Sequence, residues 1–283
     1  MSGANEEGGL RVGYIGLGSQ GGPMARRIID AGFPTTLWAR RPEAQQAFAG
    51  TPARFAASRV ALGAASDVLG VCVVGDADVD EVLRGPAGAL AGMAPGGIVV
   101  VHSTTRPDTC RRLQEDHPHL HVLDAPVSGG GRAAAERALL VMVGGEAEIL
   151  ERCRLVLAAF ADPIVHLGPL GSAQEAKVFN NALFTAQLAL AAEVHSAAQR
   201  RGLDPAAMAT VLRRGSGHSF AADVVARNGF HLAPLAGSAG GLLAKDVGIL
   251  ADLLAPAGSP LIDMAETALA AMGLARTTRE DHA

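Results

Sequence analysis

Near the start of the chain, Gly16, Gly18 and Gly21 fall between a short apolar run, "RVGYIGLG", and an amphipathic one, "GGPMARRIIDAG". The first reads as a buried strand. The second reads as a helix, with Pro23 tolerated in its first turn and Gly32 near its C-terminus. No other feature narrows the possible folds as far. At this spacing Gly16 permits a tight turn, Gly18 lets backbone approach a pyrophosphate, and Gly21 lets helix and strand pack closely. The helix N-terminus then offers free N–H groups and the positive end of its dipole to an anion. A strand–helix turn with no ligand is the reading that the motif alone leaves open.

The rest of the first half keeps the same alternation. "TTLWAR" reads as a second strand, and "DVLGVCVVG", "GGIVVVHS", "LHVLDAP" and "ALLVMVGG" as further β-rich runs between helical or turn-rich segments. This pattern specifies α/β structure: a doubly wound, mostly parallel sheet of Rossmann type covered by helices. The sheet region closes near "PIVHLGPLGS". From Ser172 to Arg201 there is no Gly or Pro, and Ala, Leu and Gln dominate. That texture predicts one long interdomain helix of roughly 30 residues, about 45 Å. Its apolar residues run round much of the circumference, as in a bundle or a subunit interface. Shorter helices follow around "DPAAMATVLRRG", "GLLAKDVGILADLLA" and "SPLIDMAETALAAMG". The expected division is an α/β domain over 1–167 and an all-α domain over 168–283.

A net charge of −4, with the basic residues dispersed, excludes a nucleic-acid partner. The apolar runs are broken well short of a membrane span, so no membrane partner is expected. The polar, acidic "MSGANEEGG" reads as a short disordered tail rather than a targeting segment. Cys72, Cys110 and Cys153 are odd in number and widely spaced, without metal-like pairing, which fits a reducing cytoplasm. Cys72, inside "VLGVCVV", reads as a buried small hydrophobe. His117, His119 and His121 alternate, but Pro118 and the approaching strand make them a solvated edge, and no metal is expected.

The end of the second strand bears on the ligand. A domain that binds NAD places Asp or Glu there to hold the ribose hydroxyls. Here the positions are Trp38-Ala39-Arg40-Arg41, and the first acid is Glu43. Paired guanidiniums grip a 2′-phosphate that a carboxylate would repel, which favours NADP(H), with NAD still possible. Solvated loop arginines are the alternative.

With "DAPVSGG" and "GSAQEAKVFNNA" added, the chain resembles the β-hydroxyacid dehydrogenase family over nearly its whole length. That family includes 3-hydroxyisobutyrate dehydrogenases and glyoxylate/succinic-semialdehyde reductases. "GYIGLGSQGGPMA" is similar to its N-terminal signature, with Gln20 in place of the usual methionine. "DAPVSGG" is similar to its substrate motif, "GSAQEAKVFNNA" to its catalytic-lysine segment, and "LLAKDVGILA" to its lysine–aspartate motif. The resemblance implies cofactor contacts at Gly16, Leu17, Gly18, Gln20, Gly21, Val74, Thr104 and Lys245, to which the residues at the end of the second strand add Arg40 and Arg41. It places a substrate carboxylate at Ser128, Gly129 and Gly130, proton transfer at Lys177, and Asn181 on the same substrate oxygen. It also implies a homodimer or homotetramer with exchanged helical domains.

The residues support these roles independently. Lys177 and Asn181 are spaced i, i+4 and share a helix face. An ammonium suits a carbonyl oxygen that gains negative charge. Small residues at 128–130 let backbone N–H groups converge on an anion. The expected function is an NADP(H)-dependent interconversion of a 3-hydroxy acid and its oxo acid or semialdehyde. Two departures put the substrate in doubt. Arg132, Glu136 and Arg137 interrupt the small residues after "DAPVSGG", and "AGSAGGLLAKD" lacks the phenylalanine that narrows the family's pocket. An imine reductase, whose group generally lacks this lysine, and a non-catalytic dinucleotide sensor are the rivals.

Overall fold

The structure is a computed structural model that describes residues 9–278, so all of the expected N-terminal tail but Gly9 lies outside it. The first five segments alternate strand and helix: β1 (Val12–Ile15), α1 (Gly21–Asp30), β2 (Thr35–Trp38), α2 (Glu43–Gln46) and β3 (Arg54–Phe55). There follow α3 (Arg59–Ala64), β4 (Val68–Val71), α4 (Asp76–Leu83), β5 (Ile98–Val101), α5 (Pro107–Asp116) and β6 (His121–Asp124). The sheet is completed by β7 (Val127–Ser128), α6 (Gly130–Ala135), β8 (Leu139–Gly144), α7 (Ala147–Ala158) and β9 (Ala161–Gly168).

The strand order is β3-β2-β1-β4-β5-β6-β8-β7, with β9 on the other side of β8. Strands β1 to β6 pair in parallel, β8 runs antiparallel to β6 and β7, and β9 pairs in parallel with β8. Alternate residues of each strand feed opposite cores. Val12, Tyr14, Val68, Ile98 and Val100 join one, while Ile15, Leu69, Val71, Val99 and Val101 join the other. Both faces are covered, which is why these strands read as continuous apolar runs. The chain reverses direction across the sheet between β1 and β4. In such sheets the ligand crevice opens there, at the carboxyl ends of the strands.

A single long helix, α8 (Ser172–Arg200), matches the segment without Gly or Pro. It is followed by α9 (Pro205–Arg214), α10 (Phe220–Arg227), α11 (Gly241–Leu254) and α12 (Pro260–Ala271). Compact packing divides the chain after Lys177, inside α8, rather than near residue 167. The sheet does end at Gly168, but the first turn of α8 is bonded to Asp124 at the tip of β6 and belongs with it. The second unit has its own core, built from Val178, Leu188, Val225, Val247, Leu250 and Leu269 among others. Leu243 to Leu250 of α11 are all buried, so this helix lies in the interior of that unit.

Candidate active site

The glycine turn is built as its spacing predicts. Gly16 has φ +93°, and a Cβ there would fall 2.0 Å from the Cys72 carbonyl oxygen. A Cβ on Gly21 would fall 2.0 Å from the Gly16 carbonyl oxygen, so helix α1 leans directly on the turn. Gly18 faces open space. The first turn of α1 carries no acidic residue, and its N-cap, Gln20, makes no side-chain capping bond. Gln20 instead points its amide at Met24 Sδ, 3.6 Å away. The start of a helix without an acid or a side-chain cap, beside an open glycine, fits a pyrophosphate.

A cleft of about 190 Å³ opens at this turn, between the ends of β1, β2 and β4. Gly16, Leu17, Gly18, Arg40, Arg41 and Val74 all line it, as does Asp78 from α4. Val74 is 63% exposed there. The two arginines differ. Arg40 lies 3.3 Å from Glu81 and 3.8 Å from Asp78, whereas the Arg41 guanidinium has no ion pair among the described residues. Cys72 is partly buried at the cleft floor rather than enclosed in the core.

The second glycine motif meets the first. Ser128 ends the short strand β7, and Gly129 (φ +131°) and Gly130 (φ +73°) turn the chain into α6. A Cβ on Gly131 would fall 2.2 Å from the Ser19 carbonyl oxygen, so α6 begins against the phosphate turn. The intruding charges turn outward: Arg132 pairs with Glu136 at 2.8 Å on the surface.

Sequence reasoning missed the groups that brace this edge of the sheet. Asp124 is fully buried and accepts from the Gly171 and Gln174 N–H groups, each at 2.8 Å, capping the start of α8. Burial pushes its carboxyl above the usual range, and those N–H bonds oppose the shift. The Gln174 carboxamide accepts from Thr105 N–H at 3.0 Å and donates to the Ser103 carbonyl at 2.9 Å. It therefore holds both peptide groups flanking Thr104. Ser103 Oγ accepts from Val73 N–H at 2.8 Å and ties β5 to β4. Lys177, one turn beyond Gln174 on α8, is buried. Nothing in an isolated Gln or Asp signals these roles; the contacts span about fifty to seventy residues of sequence.

In the second unit, Asn181 Nδ2 donates to Asp246 Oδ2 at 2.5 Å, and Lys245 Nζ lies 2.9 Å from Asp246 Oδ1. Lys245 and Asp246 are both buried, so this is not a helix-surface ion pair. A carboxylate only accepts, which fixes the Asn181 amide with its NH₂ toward Asp246. The segment lacking the family phenylalanine, Ala236–Gly240, forms a π-helical turn leading into α11. His218 pairs with Asp223 at 3.0 Å on the surface. The His117 and His119 rings lie 6.1 Å apart, His117 Nδ1 is 3.2 Å from the Leu113 carbonyl, and no metal-ligand cluster occurs among the described residues.

Known proteins match over both units. Residues 11–168 fit the "NAD binding domain of 6-phosphogluconate dehydrogenase", and residues 171–283 fit the "NAD-binding of NADP-dependent 3-hydroxyisobutyrate dehydrogenase". L-threonate dehydrogenase of Cupriavidus necator is 36% identical over 74% of this chain and 71% of its own. The NAD-dependent L-serine dehydrogenase of Pseudomonas aeruginosa is 34% identical over 76% and 72%. Among solved structures, the Mycobacterium tuberculosis 3-hydroxyisobutyrate dehydrogenase with L-serine superposes with a TM-score of 0.81 at 28% identity, covering 95% of this chain and 96% of that one. A glycine turn ready for a dinucleotide and these matches lead to one conclusion: the chain belongs to the β-hydroxyacid dehydrogenase family, as an NAD(P)-dependent oxidoreductase of the 3-hydroxyisobutyrate dehydrogenase type that acts on CH–OH groups.

Proposed function

We propose that the protein interconverts a 3-hydroxy acid and its oxo acid or semialdehyde, with NADP(H) as the favoured cofactor. One observation carries this reading: a buried lysine, Lys177, rides on a helix whose first turn is bonded to the carboxyl edge of the dinucleotide-binding sheet. Bound nicotinamide supplies or receives hydride at the substrate carbon. Lys177 gives the proton to the developing alkoxide, or takes it from the hydroxyl in the other direction. Asn181, one turn along the same helix, keeps one amide hydrogen for that oxygen while Asp246 fixes its orientation. Ser128, Gly129 and Gly130 hold the substrate carboxylate. The two left-handed glycines support this, since they expose backbone N–H groups with no acidic side chain in the first turn of α6.

Gly16, Leu17, Gly18, Gln20 and Gly21 would hold the pyrophosphate end, with Val74, Thr104 and Lys245 along the rest of the cofactor. Arg41, uncommitted and at the cleft, is the stronger candidate for a 2′-phosphate, with Arg40 beside it. The hydroxy carboxylates in the relatives' names support the substrate class, and the loss of the phenylalanine supports a β-substituent bulkier than the smallest. A homodimer or homotetramer in the cytoplasm completes the proposal. Three free cysteines and an exposed apolar stripe on α8 support it.

The test is NADPH oxidation and NADP⁺ reduction across small aldehydes, 3-oxo acids and 3-hydroxy acids, with Lys177→Ala beside the wild type. Turnover should fall by roughly 10² to 10⁴ in the variant while cofactor binding survives. Turnover insensitive to the substitution would remove Lys177 from the chemistry.

A further inference from the structure

The cleft that should read the cofactor's adenosine end is not purely basic. Asp78, in the first turn of α4, lines it beside Arg40 and Arg41. Its Oδ1 lies 3.8 Å from Arg40 Nη2, and Glu81, one turn along α4, places Oε2 at 3.3 Å from Arg40 Nη1. Glu81 is itself held. Its other oxygen lies 3.3 Å from Arg59, whose Nη1 also donates to the Glu81 carbonyl at 2.9 Å. The Arg59 guanidinium sits 5.5 Å over the ring of Trp38, another wall of the same cleft. The acid missing from the end of β2 is therefore supplied from α4.

We propose that Asp78 and Glu81 form a counter-charge that holds Arg40 and opposes a 2′-phosphate, so that this cleft accepts both NAD(H) and NADP(H). This deepens, and rests on, the reading of Arg40 and Arg41 as the 2′-phosphate end of the site. A phosphate dianion arriving at Arg40 must displace two carboxylates and then remain near them. A ribose hydroxyl meets no such cost and gains an acceptor in Asp78. Arg41, with no acid of its own, keeps the site open to the phosphate. The pair thus sets the ratio of the two affinities rather than abolishing either.

The experiment is direct titration of NAD⁺ and NADP⁺, and of their adenosine fragments with and without the 2′-phosphate, against wild type, Asp78→Asn and Glu81→Gln. It needs no substrate. Removing one carboxylate at this range should raise the NADP⁺-to-NAD⁺ affinity ratio by about fivefold to tenfold. The increase should be larger at low salt. A ratio unchanged in both variants, with nucleotide binding intact, would overturn the counter-charge while leaving the cofactor reading in place. A ratio equally insensitive to the Arg40→Ala, Arg41→Ala double variant would overturn the arginine reading itself, and this inference with it. Asp78→Asn is isosteric, and Glu81→Gln, on a separate oxygen pair, tests the idea independently should the first variant unfold.

Discussion

His102 follows β5 directly in a buried position, stacked against Tyr14 at 6.1 Å and meeting Phe160 edge-on at 5.6 Å. Its Nδ1 lies 2.8 Å from the Ala125 carbonyl, which only accepts, so the neutral ring carries its proton on Nδ1. Burial pushes its pKa down to about 4, against a smaller upward pull from that carbonyl. An unfolded chain takes up a proton below its ordinary value near 6.5, and the folded chain refuses it until about 4. Stability should therefore be lost as pH falls through that window, by about 3 kcal/mol once the lower value is passed. His102→Asn keeps an N–H for Ala125 and should flatten this part of the curve. Denaturant unfolding between those pH values checks it, and an unchanged slope would assign the effect to another group.

The start of α8 shows how an element is aimed by residues far from it. Asp124 caps its first turn, and Gln174 clamps the two peptides around Thr104. The position of Lys177 is thus set by the tip of β6 and the loop after β5, not by the helix alone. Gln174→Leu would leave a buried N–H and a buried carbonyl without partners. That should cost about 2–4 kcal/mol. Equilibrium unfolding measures it directly, and a loss well under 1 kcal/mol would mean that water reaches those groups. Turnover should fall as well, since both the lysine and the Thr104 loop lose their common support.

The whole molecule is two units with separate cores. Phe179, Leu183, Leu190 and Val194 are exposed on the α8 of the second unit and fall within roughly 60° of its circumference. An apolar stripe of this kind on a single chain marks an interaction surface. Sedimentation should give at least twice the 28.8 kDa chain mass. Leu190→Glu with Val194→Glu should shift the population toward the monomer. A wild-type monomer at micromolar concentration would remove the proposed assembly. No helix among the described residues is long and apolar enough to cross a membrane.

The glycine turn, the parallel sheet and the 29-residue helix were legible in the residue order alone. Each rests on local spacing: a period of two or 3.6, or a glycine where φ must be positive. The loop arginines were legible as a pair but not as unequal, because what separates them is Asp78 and Glu81, some forty residues on and brought close only by the β4–α4 crossover. Asp124, Gln174, Asp246 and His102 were invisible as braces for the same reason. A polar side chain declares no partner until folding removes water from around it. Burial then makes each hydrogen bond obligatory, and the tertiary structure alone decides which groups must answer it.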